Sequence, residues 1–161
     1  MRAKIYLETT ILSYLAARPS RDLLIAAHQQ MTHQWWSARR NEFDLFVSEL
    51  VLEECSMGDT VVAGRRLDLL QEIPILGADD RIAHLAGQIL DGGAIPPKAA
   101  AAADAVHIAT ATVYGCEFLL TWNCRHIANA ELQRKLRRIT ADHGHDLPLI
   151  RAPEELMGED S

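Results

Sequence analysis

At 161 residues with a formal net charge of −6, the chain is most simply one domain over 1–161. It is long enough to bury a real core, and it is not a globally basic binder of duplex nucleic acid. An apolar fraction of 48% and a charged fraction of 24% are those of an ordinary globular protein. No apolar run is long enough to span a bilayer and the N-terminus lacks a signal-peptide pattern, so a cytoplasmic protein with no membrane partner is expected.

Residues 3–8, Ala3-Lys4-Ile5-Tyr6-Leu7-Glu8, read as a strand. A helix follows at once, with Thr9 or Thr10 as its hydroxyl cap before Ile11, Leu12 and Leu15. Arg21 to Arg40 reads as a long helix whose Leu24, His28, Met31, Trp35 and Ala38 fall on one stripe. Residues 43–48 form the next strand, and the helix after it carries Glu49, Glu53 and Glu54. Helices over 59–72 and 79–90 come next, separated by Pro74 and Gly77. The loop 91–97, rich in glycine and proline, leads into an alanine-rich helix with Asp104 and His107. A strand at 117–121, a helix over about 126–142 stopping near Gly144, and a strand at 147–150 complete the chain. Strands alternating with helices imply an α/β fold, with a parallel sheet covered on both faces.

Four residues stand out. Glu8 and Asn123 each follow an apolar strand, while Glu54 and Asp104 point inward from apolar helical stretches. A carboxylate in an apolar setting is costly unless a cation or hydrogen bonds compensate it. Several converging at the carboxyl edge of a parallel sheet, where ligands of open α/β sheets bind, suggest a divalent metal site. Each also has a plainer reading. Glu8 serves equally as a helix N-terminal carboxylate, and Asn123 as a turn residue. Glu54 can sit at the boundary with its head in water, and Asp104 can pair with His107 one turn on. Glu49 and Glu53 share a solvated face. The basic run Arg134, Lys135, Arg137 and Arg138 reads as a solvated face near a helix C-terminus. Trp122 has packing as its default role, with base stacking as the alternative.

Other chemistries lack their motifs. There is no Gly-x-Gly-x-x-Gly, Walker loop or His-Glu-x-x-His helix. An aspartyl phosphatase needs an Asp-x-Asp pair after the first strand, and Glu8-Thr9-Thr10 does not supply it. The odd set Cys55, Cys116 and Cys124 reads as free thiols, and no C-x-x-C pair joins Cys124 and His126 in a zinc site.

The blocks Ile5-Tyr6-Leu7-Glu8-Thr9-Thr10, Val47-Ser48 through Glu54 to Gly58, Asp104-Ala105-Val106-His107-Ile108-Ala109-Thr110-Ala111 and Leu119-Leu120-Thr121-Trp122-Asn123 occur in that order. In this respect the chain resembles the PIN-domain nucleases, and within them the VapC-like toxins of toxin–antitoxin pairs. The resemblance implies a three-layer α/β/α sandwich around a parallel sheet. It also implies Mg²⁺ or Mn²⁺ held by Glu8, Glu54, Asp104 and Asn123, with Thr10 and Thr121 as hydroxyls near the site. RNA as substrate, a small antitoxin partner and a homodimer follow from it too. Two positions depart from the family pattern. The first acid is Glu8 where aspartate is usual, and the fourth position is the neutral Asn123. Both bear on a second metal and on Mn²⁺ preference, because Mg²⁺ demands near-ideal octahedral geometry. The reading is a metal-dependent ribonuclease with these four as catalytic residues. Its alternative is a catalytically weak or inactive PIN-like protein that binds RNA or a partner.

Overall fold

The computed structural model describes residues 1–123 and 129–158. Ile5, Tyr6 and Leu7 of the first strand, β1 (Ala3–Leu7), are fully buried. A central parallel strand covered on both faces requires that, and it explains why the run is apolar without alternation. β1 pairs in parallel with β2 (Phe43–Ser48) on one side, Ile5 opposite Leu45. On the other side it pairs in parallel with β4 (Phe118–Leu120), Leu7 opposite Leu120. The outer strands are β3 (Ile75–Leu76) beside β2 and β5 (Leu149–Arg151) beside β4. The sheet order is therefore β3-β2-β1-β4-β5, all parallel.

With crossovers of the hand usual for parallel strands, this order sorts the helices into layers. α1 (Thr9–Ala16), α2 (Leu23–Arg39), α3 (Glu49–Cys55) and α4 (Thr60–Leu69) belong to the β1–β2–β3 half and touch one another. The chain then crosses to the far side of β1. There α5 (Asp80–Asp91) packs against α6 (Ala101–Val113) and α7 (Ala130–Asp142). The result is the expected three-layer α/β/α sandwich. Because the strand order reverses between β1 and β4, a crevice is required outside the carboxyl ends of those two strands.

Several local expectations need correction. The cap of α1 is Glu8 itself, whose carboxylate accepts from the Thr10 amide, rather than the hydroxyl of Thr9 or Thr10. Ile75–Leu76, expected as an inter-helix connection, is a strand; two residues between Pro74 and Gly77 are too short to show a period. On α2, Leu24 and Ala38 of the expected stripe are exposed, whereas Gln29, Thr32 and Trp35 are buried. The buried polar pair is satisfied: Gln29 bonds the Arg18 carbonyl and the Ser20 amide, and Thr32 bonds the His28 carbonyl and the Trp122 indole. Counting apolar residues alone missed that face. α7 runs from Ala130, capped by Asn129, to Asp142, with the left-handed Gly144 (φ 78°) just beyond it; the expected start near 126 lies outside the described residues. Its basic residues Arg134, Lys135, Arg137 and Arg138 are exposed before the last turn. Among the described residues no helix is long and apolar enough to cross a membrane. Cys124 and His126 lie outside the described residues, while Cys55 and Cys116 are buried free thiols.

Candidate metal centre

Glu8 leaves β1 in extended conformation and is 5% exposed. Its amide donates to the Leu120 carbonyl at 3.0 Å, tying the carboxyl ends of β1 and β4 together. Its Oε1 accepts from the Thr10 amide, the Thr10 hydroxyl and the Thr121 hydroxyl. A carboxylate with three donors on one oxygen is compensated for burial. Both threonines implied by the family resemblance therefore meet on this side chain.

Ser48 ends β2 and caps α3 by accepting from the Val51 amide. The helix so started presents Glu49 and Glu53 to solvent, and it turns the half-buried Glu54 toward α1 and α6. Glu54 Oε1 accepts from Thr9 Oγ1 at 2.8 Å and lies 2.6 Å from His107 Nε2. Burial raises the pKa of Glu54, but the hydrogen bond and charge of His107 and the bond from Thr9 outweigh it. The carboxyl is held below its usual range.

Asp104 lies in the first turn of α6 and is 5% exposed. The helix N-terminus favours its charge. It does not pair with His107, which looks instead to Glu54 and Tyr6. Asp104 Oδ1 accepts from Asn123 Nδ2 at 3.2 Å, and Oδ2 faces the Lys98 ammonium at 2.7 Å. That ion pair is close but poorly aimed: Oδ2 is buried and accepts no well-directed hydrogen bond among the described residues. The backbone amide of Asn123 bonds Thr121 Oγ1, the turn geometry of its plainer reading.

These bonds link all four candidate residues. Glu54 reaches Thr9, beside Glu8; Glu8 reaches Thr121; Thr121 reaches Asn123, and Asn123 reaches Asp104. In each carboxylate the bonds from neighbouring hydroxyls, amides or imidazole fall on one oxygen. The second oxygen is left outside that network, facing Lys98 in Asp104. Hard oxygen donors with the remaining lone pairs fixed suit Mg²⁺ or Mn²⁺. Among the described residues no three His, Cys, Asp or Glu side chains are gathered tightly round one point. Lys98 faces the Asp104 oxygen outside the network, and His107 holds the Glu54 oxygen within it.

Lys98 and Tyr6 join this network without standing among the sequence candidates, and Thr9, expected as a helix cap, bonds Glu54 instead. Lys98 had a signal: it is the sole lysine or arginine between Arg81 and Arg125, just before the helix carrying Asp104. Trp122 packs rather than facing solvent. It is 8% exposed, stacked on His28 with centroids 4.1 Å apart, and donates its indole N–H to Thr32.

Comparisons with known proteins agree with this architecture. A chain of the crystal structure of VapBC2 from Rickettsia felis, bound to a DNA fragment from their promoter, is similar in fold at 14% identity. The TM-score is 0.59, over 92% of this chain and 98% of that one. No curated protein matches the sequence. Residues 5–132 match the PIN domain, which takes in β1 to the start of α7 and every residue of the acid network, and so the chain belongs to the PIN domain family.

Proposed function

We propose that the protein is a ribonuclease dependent on Mg²⁺ or Mn²⁺ that hydrolyses RNA phosphodiester bonds, with Glu8, Glu54, Asp104 and Asn123 as its metal-binding and catalytic residues. PIN domains are in general nucleases. The observation that carries the reading for this chain is the arrangement of the three carboxylates. Each is anchored through one oxygen, and all lie in a network at the switch point of the sheet.

Glu8, held by Thr10 and Thr121, and Glu54, held by Thr9 and His107, would bring fixed negative charge from two sides. Asp104 would bring the third charge and orient the amide of Asn123. Through its own Oδ1, that amide offers a neutral oxygen to the ion or to a water. A bound divalent ion supplies Lewis acidity toward the phosphate and lowers the pKa of a bound water toward neutrality. No catalytic histidine is needed.

The similarity to a chain of VapBC2 supports a toxin role with an antitoxin partner. A homodimer and a cytoplasmic location belong to the same reading. The alternative, a weak or inactive PIN-like protein that binds RNA or a partner, draws on the Lys98–Asp104 pair and the uncharged Asn123. Cleavage of single-stranded RNA decides between them. The proposal expects cleavage with Mn²⁺ or Mg²⁺, none with chelator, and none in Asp104→Asn. Cleavage that ignores metal or survives in Asp104→Asn rejects it.

A further inference from the structure

A second line of hydrogen bonds runs through the interior and ends on Glu54. Ser48 Oγ lies 2.8 Å from Tyr6 Oη, which lies 2.6 Å from His107 Nδ1; His107 Nε2 lies 2.6 Å from Glu54 Oε1. The line crosses four elements: the end of β2, the middle of β1, α6 and α3. Ser48, Tyr6 and His107 are 5%, 0% and 1% exposed, so water does not satisfy them. The Tyr6 and His107 rings also meet edge to face at 5.8 Å, which fixes both planes.

The direction of the last bond follows from the group at its end. An ionised carboxylate accepts only, so the hydrogen between His107 and Glu54 belongs to Nε2. The Nδ1 of that ring bonds the Tyr6 hydroxyl, as acceptor in the neutral ring and as donor in the charged one. The Tyr6 hydroxyl also bonds the Ser48 hydroxyl, whose oxygen accepts from the Val51 amide at 3.3 Å. Every group in the line is used. A core needing only volume at these places would take Phe at 6 and an apolar residue at 107. Buried polar groups persist where all are bonded, and this line terminates on a half-exposed carboxylate rather than on backbone.

We infer that Ser48, Tyr6 and His107 are positioning residues that lock Glu54 by its Oε1 in one rotamer and so set the protein's affinity for the divalent ion. The inference rests on the metal-binding role proposed for Glu54. A ligand whose orientation is already fixed loses less freedom on binding, and partners that fix ligands in this way typically contribute about 10–100-fold in metal affinity.

The test measures Mn²⁺ binding to the whole chain without RNA, by electron paramagnetic resonance of the free ion. Wild type, Glu54→Gln, Tyr6→Phe and His107→Gln are compared, with circular dichroism confirming the fold. Tyr6→Phe removes a single oxygen and carries the test if His107→Gln does not fold. The expected result is loss of binding in Glu54→Gln and a dissociation constant raised about tenfold in Tyr6→Phe. Nitrogen-15 spectra of His107 in the metal-free protein are expected to show one tautomer in wild type and a mixture in Tyr6→Phe. Wild-type affinity in both Tyr6→Phe and His107→Gln, with binding lost in Glu54→Gln, overturns the inference and leaves the metal site standing. Undiminished binding in Glu54→Gln, or none in wild type, overturns the metal role of Glu54 itself.

Discussion

The ammonium of Lys98 lies 2.7 Å from Asp104 Oδ2, on the oxygen that no well-aimed hydrogen bond reaches. The chain thus carries its own cation against a proposed metal ligand, on the loop just before α6. An ion approaching Asp104 has to displace it. Lys98→Met is expected to tighten Mn²⁺ binding while destabilising the metal-free protein by roughly 2 kcal/mol, since it strands a buried charge. Titration calorimetry and melts without metal check both signs. Weaker Mn²⁺ binding in Lys98→Met would show that Lys98 supports the ion instead of competing with it.

Ion binding is expected to stabilise the fold. An ion that binds only the native state adds stability by mass action, about 2.7 kcal/mol at a hundred times its dissociation constant. Melts with and without millimolar Mn²⁺ should differ in wild type and coincide in Asp104→Ala. Equal shifts in both proteins would place the ion elsewhere.

Asn123→Asp exchanges the donor that now bonds Asp104 for a second carboxylate. Like charges side by side in a partly desolvated pocket repel. The variant is expected to melt lower than wild type without metal and to gain more from Mn²⁺. Cleavage of single-stranded RNA at low Mg²⁺ should rise if a weak second ion limits the rate. A variant with unchanged melts and unchanged metal response would mean that Asn123 only shapes the loop.

Burial pushes the thiols of Cys55 and Cys116 up from 9.0 to about 11, with Arg66 and Lys4 respectively pulling partly back. Both therefore remain protonated and poorly nucleophilic in the native protein. Iodoacetamide at pH 8 should label them slowly until denaturant is added, as read by peptide mass mapping. The stability that the two thiols contribute is fully present below pH 9 and is lost as pH climbs toward 11, because the unfolded thiols ionise first. A melting temperature that holds level through that window would count against burial of both thiols.

The frame of this fold is written in short apolar runs, and those are legible. Ile5-Tyr6-Leu7 and Phe118-Leu119-Leu120 announce buried parallel strands, and with them the sheet edge where Glu8 and Asn123 emerge. Partnerships across elements are less legible. Asp104 and His107 sit one turn apart, which suggests a pair, yet the ring bonds Glu54, 53 residues away in sequence. Helical spacing says which side chains share a face and nothing about what a neighbouring element brings to it. Tyr6 reads as one more apolar strand residue because its hydroxyl has no local partner. The inward face of α2 differs from its apolar stripe for a related reason: Gln29 and Thr32 are buried by hydrogen bonds that only the folded chain supplies.

The first acid, Glu8, does more than face the crevice. Its amide holds Leu120 and its carboxylate holds Thr121, so backbone and side chain of one residue fasten the same seam between β1 and β4. Local opening at that seam has to break both at once, together with the start of α1. The Glu8 amide therefore belongs among the slowest to exchange its hydrogen with solvent, in the class that opens only with the whole domain. The floor beneath the carboxylates is then expected to be the part of the molecule that yields last.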